Sequence, residues 1–188
     1  MREGRARAAL VQARRHGMMP VTRELAMPEN ELQERIWTAL ADHPVAMVSL
    51  ATPEGVKTRP MAGHVDREHH RLLYISHRHT GIIGAALRSP GVSVAISQED
   101  RNFYAALSCA ASEENDRELL RQIWTPVADA WFTGGNEDPD ATILALTPLE
   151  AEIWDGPSSS VLVAFKLAAA RLLGRTPSLG VNATVPMR

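Results

Sequence analysis

The 188-residue sequence predicts a β-rich α+β protein in which short antiparallel strands form a meander or barrel with flanking helices. Apolar and polar residues alternate with a period of two in several segments between residues 45 and 154. Polar turns separate these segments, and helical patterns precede, interrupt and follow them. The length corresponds to one domain plus extra chain, and a hydrophobic fraction of 45% is ordinary for a globular protein.

The first predicted element is a helix over Asn30–Asp42. Asn30 and Gln33 have the spacing of a capping box, and apolar residues recur every fourth position at Leu32, Ile36 and Leu40. The helix should end at His43, because a residue that precedes a proline avoids the α region.

The strands follow from the alternation, with turns at Pro53–Gly55 and Asp66–His70. They are predicted over Val45–Ala51, Val56–Val65, Arg71–Ser76, Val92–Ser97 and Phe103–Ser112, and Thr142–Trp154 is predicted as one more strand or a hairpin.

Three further helices are expected. A short one covers Thr80–Leu87, and a second begins near Asn115, where Glu118 completes a capping-box spacing. The helix that begins near Asn115 directs four apolar residues inward: Leu119, Leu120, Ile123 and Trp124. A closing helix over residues 158–174 is apolar almost all round and ends at Gly174, so it should be buried. No pattern is assigned to the tail at 175–188.

The charge distribution argues against nucleic acid as a partner. Residues 1–23 hold six arginines and one acid, a net of +5, so residues 24–188 carry −7 of the total of −2. An acidic body lacks the cationic phosphate contacts on which nucleic-acid affinity depends. No segment reaches the ~20 apolar residues that a membrane span needs. The basic start fits a mitochondrial presequence, an overextended start or a flexible arm; we expect an arm over 1–28 and a cytoplasmic protein.

Metal and nucleophile sites are not favoured. The histidine-rich group (His64, Asp66, His69, His70, His77 and His79) has no recognised metal-ligand spacing, and solvated turn histidines are expected. The acidic loop at 136–147 has Ala141 and Thr147 where a calcium loop needs Gly and Glu. The single cysteine, Cys109, lies in mid-strand without a base in the local sequence, so a buried small side chain is expected.

An anion site is the best candidate for function. Arg59 lies in a strand beside Pro60, which cannot donate to a β-ladder and therefore indicates an edge or bulge. Ser76 and Thr80 lie just before a short helix, where a phosphate could bind hydroxyls and helix N–H groups. By pattern alone, a solvated surface arginine remains the alternative.

A family resemblance strengthens this interpretation. The chain over about residues 30–174 resembles the general stress protein branch of the pyridoxamine 5′-phosphate oxidase-like flavin proteins. The resemblance is carried by Thr58-Arg59-Pro60-Met61, Leu72–Ser76, Val92–Ser97, Tyr104–Ala111, Trp124, Ala130-Trp131-Phe132, Gly135–Pro139 and Ala151–Asp155 in their order and spacing.

The resemblance implies a split β-barrel over 29–174 and a homodimer with FMN at its interface. It further implies that the cofactor contacts Arg59, Pro60, Met61, Ile75, Ser76, His79, Thr80, Tyr104 and Trp131, the last from the second subunit. No catalytic residue is identified. The literal pyridoxamine phosphate oxidase activity is not favoured, because the C-terminal region lacks an Arg-rich substrate motif.

Two residues depart from the family pattern. Ile82 stands where the family commonly has a lysine two residues after the phosphate-loop Ser or Thr, and His77, Arg78 or His79 could replace that charge. Cys109 stands where a glycine is usual and either narrows the flavin site or adjusts packing. The protein is expected to be an FMN-binding flavoprotein that works as an oxidoreductase with a nicotinamide donor and a small-molecule substrate. The alternatives are a flavin carrier without turnover and a scaffold that binds deazaflavin or no cofactor.

Overall fold

The structure is a computed structural model and describes residues 27–79, 81–156, 167, 171 and 181–187. These residues form one antiparallel sheet with short helices beside it. The helices are α1 (Glu29–Asp42), α2 (Gly81–Arg88), α3 (Arg117–Ile123) and the single turn α4 (Pro126–Asp129). The strands are β1 (Val45–Thr52), β2 (Gly55–Ala62), β3 (His64–Asp66), β4 (Arg71–His77), β5 (Val92–Gln98), β6 (Phe103–Glu114), β7 (Ala141–Asp155) and β8 (Val181–Pro186).

The sheet closes on itself as a split barrel. Its strand order is β2-β1-β5-β6-β7-β4-β3, and β8 pairs with β7. The two strands at the ends of this order, β2 and β3, are separated in the chain only by Gly63. The sheet must therefore curl until its ends meet at this residue. The predicted antiparallel fold class is confirmed.

The long strand β7 holds the sheet together. Its first half pairs with β4 (Ile143 with Ile75) and its second half with β8 (Ile153 with Ala183), while β6 runs along its other side. The register between β6 and β7 shifts at Ser108 and Cys109. Thr142–Trp154 thus forms one strand with an irregularity, rather than a hairpin.

Two hydrophobic clusters lie on opposite sides of β4. The larger fills the barrel and includes Tyr74 together with the buried faces of α1 and α2. The smaller lies under α3 and α4 and includes Leu73 and Phe132. Alternate residues of β4 enter the two clusters, so this strand is covered on both faces.

Several predicted boundaries are corrected. The first helix begins at Glu29 after Pro28 without a side-chain cap, and the Gln33 side chain instead donates to the Pro186 carbonyl. The helix α3 is capped by Asp116, whose side chain accepts from the backbone N–H groups of residues 118 and 119. The predicted cap was Asn115, one residue earlier. The strand expected over Val56–Val65 breaks at Gly63.

The C-terminal tail carries structure that the pattern analysis missed. Val185 and Met187 are buried while the intervening Pro186 is exposed, which is the alternation of a strand. The closing helix predicted over 158–174 and Gly174 lie outside the described residues, except for Leu167 and Arg171, which are helical. The N-terminal arm predicted over 1–28 also lies outside them, apart from Met27 and Pro28.

The first helix is held on the barrel by a charged pair. The Arg35 guanidinium binds both carboxylate oxygens of Asp155, with 3.0 Å from Nη2 to Oδ1, and lies 5.1 Å from the centre of the Phe103 ring. The Asp155 side chain is only 10% exposed. Asp155 therefore has a structural role at this junction. Among the helices of the described residues, none has the length and apolarity needed to cross a membrane.

Candidate functional site: a cleft between two diverging strands

The candidate site is the place where the barrel splits. The strand β3 pairs with β4 over three residue pairs only, from Asp66 with Arg71 to His64 with Leu73. On the other side of Gly63, toward the N-terminus, β2 pairs with β1 instead, starting with the pair Ala62 and Val45. The edge of β4 beyond Leu73 and the neighbouring edge of β2 thus separate and form the two sides of a cleft.

Predicted residues line both sides of this cleft. If the β3–β4 register continued, Ala62 would stand opposite Ile75 and Met61 opposite Ser76. Because β2 pairs with β1 instead, the two strands that separate beside Gly63 carry Pro60 and Met61 on one side and Ile75 and Ser76 on the other. The edge position that Pro60 predicts is confirmed, because β2 is an end strand of the sheet.

Arg59 supplies a free positive charge at the cleft. It is exposed, and it lies on the same face of β2 as Met61, which packs against the barrel core. Its guanidinium makes no ion pair or hydrogen bond with any residue that the structure describes. By contrast, Arg67 binds Glu34 at 2.6 Å, and Arg71 binds Asp66 at 2.8 Å. Arg59 is thus available for an anionic ligand.

The end of β4 leads into a short loop, His77–His79, which precedes α2. Asp140 holds all three loop residues: its Oδ2 lies 2.9 Å from His77 Nδ1, its carbonyl accepts from the Arg78 N–H at 2.7 Å, and its Oδ1 accepts from the His79 N–H at 3.1 Å. Burial acts to raise the pKa of Asp140, but the hydrogen bonds from His79 and His77 outweigh it, and the net pKa is lowered. Asp140 is therefore a carboxylate at neutral pH.

Two further side chains support the loop. The His77 ring stacks on Phe132, with ring centres 4.1 Å apart. The Arg78 guanidinium binds Glu113 at 3.0 Å, and Glu113 also accepts from the buried Thr142 hydroxyl at 3.0 Å. The Arg78 charge is already balanced, whereas the His79 side chain is 83% exposed. Thr80, the remaining predicted phosphate ligand, lies outside the described residues.

The two departures from the family pattern are both buried. Ile82 packs into the barrel core, so the position of the expected lysine is used for packing. Cys109 is also in this core, and burial raises the pKa of its thiol to about 12. A thiol that remains protonated at neutral pH is a poor nucleophile, which agrees with the packing role expected for Cys109.

One predicted residue is far from this part of the cleft within one chain. Tyr104 pairs with Trp154, whereas Ser76 pairs with Thr142, at the opposite end of β7. The separation of Thr142 and Trp154 by twelve positions corresponds to about 40 Å of extended strand. Trp131 follows α4, is 71% exposed and directly precedes Phe132, whose ring stacks on His77.

The outer face of the sheet carries exposed apolar side chains among polar ones. Met47, Ala95 and Ala106 lie side by side on β1, β5 and β6, and Glu152 on β7 continues this row beside Ala106. The exposed fractions are 60% for Val45, 42% for Met47, 37% for Tyr104 and 40% for Trp154. Large exposed apolar side chains on one face of a sheet are common at protein interfaces.

The histidine-rich turn has a structural explanation. Burial acts to raise the pKa of Asp66, but hydrogen bonds from Arg71 and His69 lower it to about 2. These contacts tie together the turn between β3 and β4, where His70 adopts φ of 51°. Within the described residues, no group of three or more His, Cys, Asp or Glu side chains is arranged to hold a metal ion.

Sequence reasoning missed the residues behind the loop. Asp140, Phe132 and Glu113 were not identified as site residues, although Phe132 belongs to a motif that carries the resemblance. Asp140 directly follows Pro139 at the start of β7, a position from which a carboxylate can reach the end of the neighbouring strand. The pairing of β4 with β7 was needed to see this.

Known proteins with similar sequences and structures agree with this fold. The sequence model of the family described as "Pyridoxamine 5′-phosphate oxidase like" matches residues 31–178. A crystal structure assigned as general stress protein 26 from Jannaschia sp. CCS1 is 28% identical, with a TM-score of 0.66, and the match covers 85% of this chain and 99% of that chain. No curated protein matches the chain.

Two further solved structures are similar. The general stress FMN/FAD binding protein of Xanthomonas citri is 27% identical, with a TM-score of 0.62 over 69% of this chain and 92% of that chain. A pyridoxamine 5′-phosphate oxidase-related, FMN binding protein of Nostoc punctiforme PCC 73102 is 10% identical, with a TM-score of 0.53 over 69% of this chain and 85% of that chain. The last likeness concerns the fold alone.

Proposed function

The chain belongs to the pyridoxamine 5′-phosphate oxidase-like family, and from this premise we propose that it is a flavoprotein that binds FMN in the cleft between β2 and β4. The observation that supports the proposal is the separation of these strands beside Gly63, with Arg59, Pro60 and Met61 on β2 and Ile75 and Ser76 on β4. The name of the Xanthomonas citri relative, a general stress FMN/FAD binding protein, supports the choice of cofactor.

The residues present fit a flavin with a phosphate. Arg59 is an exposed guanidinium without a carboxylate partner among the described residues, and guanidinium is well suited to a phosphate because its donors are paired. Ser76 adds a hydroxyl at the end of β4, and His79 adds an exposed imidazole. Met61, beside the barrel core, and Ile75, beside the cluster under α3 and α4, each keep part of their apolar surface exposed and would offer it to the ring system. Of the loop residues that could replace the missing lysine at position 82, His79 is the most exposed.

A homodimer completes the proposed site. The outer face around Met47, Ala95 and Ala106 carries exposed apolar side chains that a second copy of the chain would cover. Because Tyr104 lies at the other end of β7 from Ser76, and Trp131 is largely exposed, we assign both to the neighbouring copy's cleft. Each cleft would then hold its flavin between two subunits.

Bound FMN would supply hydride transfer, and the protein would supply binding and electrostatics. We propose an oxidoreductase that takes electrons from a reduced nicotinamide and passes them to a small molecule. The protein is assigned no acid or base, because no described side chain at the cleft has a geometry that requires one. The burial of Ile82 favours a second candidate, a scaffold that binds a different planar cofactor or none, since the usual lysine is missing.

The test is reconstitution of the purified chain with FMN. We expect a yellow protein with the two absorption bands of an oxidised flavin, and binding tighter for FMN than for riboflavin. A colourless protein that takes up neither flavin would overturn the proposal, and binding of a deazaflavin instead would support the second candidate.

Turnover needs its own measurement. Under anaerobic conditions, NADH or NADPH should bleach the bound flavin if the protein is an oxidoreductase. A flavin that remains oxidised with both donors would favour a carrier. Light scattering should give twice the chain mass for the flavin-bound form.

A further inference from the structure

One acidic residue organises the loop that leads into the proposed phosphate site. Asp140 contacts three consecutive residues, His77, Arg78 and His79, through two carboxylate oxygens and its own carbonyl. It is itself held by Asp138, whose Oδ1 accepts from the Asp140 N–H at 2.9 Å. The loop conformation therefore depends on a residue that lies 63 positions from His77 in sequence.

The loop presents its three side chains differently. His77 is placed between Asp140 and the Phe132 ring, and Arg78 is turned toward Glu113. The His79 ring extends into solvent, with its Nε2 3.8 Å from Asp140 Oδ1. Of the three side chains that could replace the missing lysine, His79 is the most accessible to a ligand.

We propose that Asp140 is a positioning residue for the flavin phosphate, acting through the His77–His79 loop and not by contact with the cofactor. By binding the His79 N–H and the His77 ring, the carboxylate fixes the path of the chain over His77–His79. This inference rests on the proposed FMN site and adds a residue that the site itself does not contain.

The sign of the effect makes the inference testable. A carboxylate near a phosphate dianion repels it, so neutralising a mere bystander would tighten phosphate binding. If Asp140 instead holds the loop in its binding conformation, neutralisation will weaken binding, because the loop must then be ordered at the cost of binding free energy. The two roles predict opposite changes.

The experiment compares Asp140→Asn with the wild-type protein for FMN and for riboflavin, which lacks the phosphate. We expect the FMN dissociation constant to rise about tenfold and the riboflavin constant to stay unchanged. Asp100→Asn, the same chemical change in the exposed turn after β5, should alter neither constant. Melting temperatures of both variants show whether the fold is intact.

Three outcomes would overturn the role of Asp140. One is unchanged or tighter FMN binding, and another is an equal loss for FMN and riboflavin, which would indicate a general structural effect. If the wild-type protein binds no flavin, the proposed function fails, and inorganic phosphate becomes the probe. Phosphate should then shift the NMR signals of the His77 and His79 rings in the wild type and not in Asp140→Asn; absence of this difference is the third outcome.

Discussion

The ring of Tyr74 lies directly against Gly63, so closely that a Cβ on Gly63 would stand 2.7 Å from Tyr74 Cε1. Tyr74 is 1% exposed and belongs to the barrel core. Gly63 also donates its N–H to the Pro44 carbonyl at 2.9 Å. The residue at which the chain passes from β2, paired with β1, to β3, paired with β4, therefore has no room for a side chain unless the Tyr74 ring moves.

We predict that Gly63→Ala destabilises the protein by about 1–3 kcal/mol, because the buried Tyr74 ring cannot move away without disturbing the core. Chemical denaturation of the two proteins measures the difference. Gly91→Ala is the matched control, since a Cβ there would meet nothing within 4 Å. Equal free energies of unfolding for Gly63→Ala and the wild type would show that the Tyr74 ring moves aside at little cost.

We predict that Arg59→Ala weakens FMN binding about 10- to 100-fold, the range expected for one lost charged hydrogen bond. Riboflavin binding should change little, because the contact is to the phosphate. Arg101→Ala is the control, since Arg101 pairs with Asp42 at 3.0 Å, away from the cleft. Retention of full FMN affinity in Arg59→Ala would place the phosphate elsewhere.

We predict that Asp66 stabilises the fold against acid. Its pKa is lowered from 3.8 to about 2 in the folded protein, so its contribution is fully present above about pH 4. This contribution is lost as the pH falls toward 2. Asp66→Asn should therefore lower the free energy of unfolding at pH 6 and flatten its dependence on pH between 5 and 2.

Urea denaturation at several pH values measures this dependence. Parallel curves for Asp66→Asn and the wild type would show that the contacts with Arg71 and His69 do not favour the ionised carboxylate in solution.

We predict that Ala106→Arg converts the proposed dimer to a monomer. Ala106 lies on the outer face between Ala95 and Glu152, and an arginine there would place a long side chain in the proposed interface and prevent close packing of the second chain. Leu87→Arg, at an exposed position on α2, should remain dimeric. Light scattering separates the two states, and a dimeric Ala106→Arg would move the interface to another face.

The local pattern of the sequence was sufficient for most of the elements. Apolar patterns located β1, β4, β5, β6 and β7 to within a few residues. One face of β1, β5 and β6 is buried and the other is more exposed, which gives the alternation, whereas β4 is covered on both faces and is an apolar run. Pro60 correctly indicated an edge strand, since proline has no N–H to donate to a neighbouring strand. His43 ended α1 as expected before Pro44.

The predicted element boundaries were wrong where the local sequence allows more than one helix start or leaves a strand too short to recognise. Asn115 and Asp116 are both good helix caps, and Asp116 was used, while the Asn115 side chain lies 3.4 Å from the Thr142 hydroxyl. Asn30 had a capping spacing, but Pro28 starts the helix one residue earlier. The alternation at 181–187 was short, and pairing with β7 makes it a strand.

The sequence by itself determined the fold class, the exposed arginine on an edge strand and the family to which the chain belongs, because these depend on neighbouring residues and on motif order. The tertiary structure alone decided that β2 and β4 separate at Gly63, that Ile82 enters the core and that Asp140 holds the His77–His79 loop. Each of these depends on which strands become neighbours, and the contacts concerned join residues far apart in the chain. No local pattern contains that information, since it follows from the closure of the sheet around Tyr74.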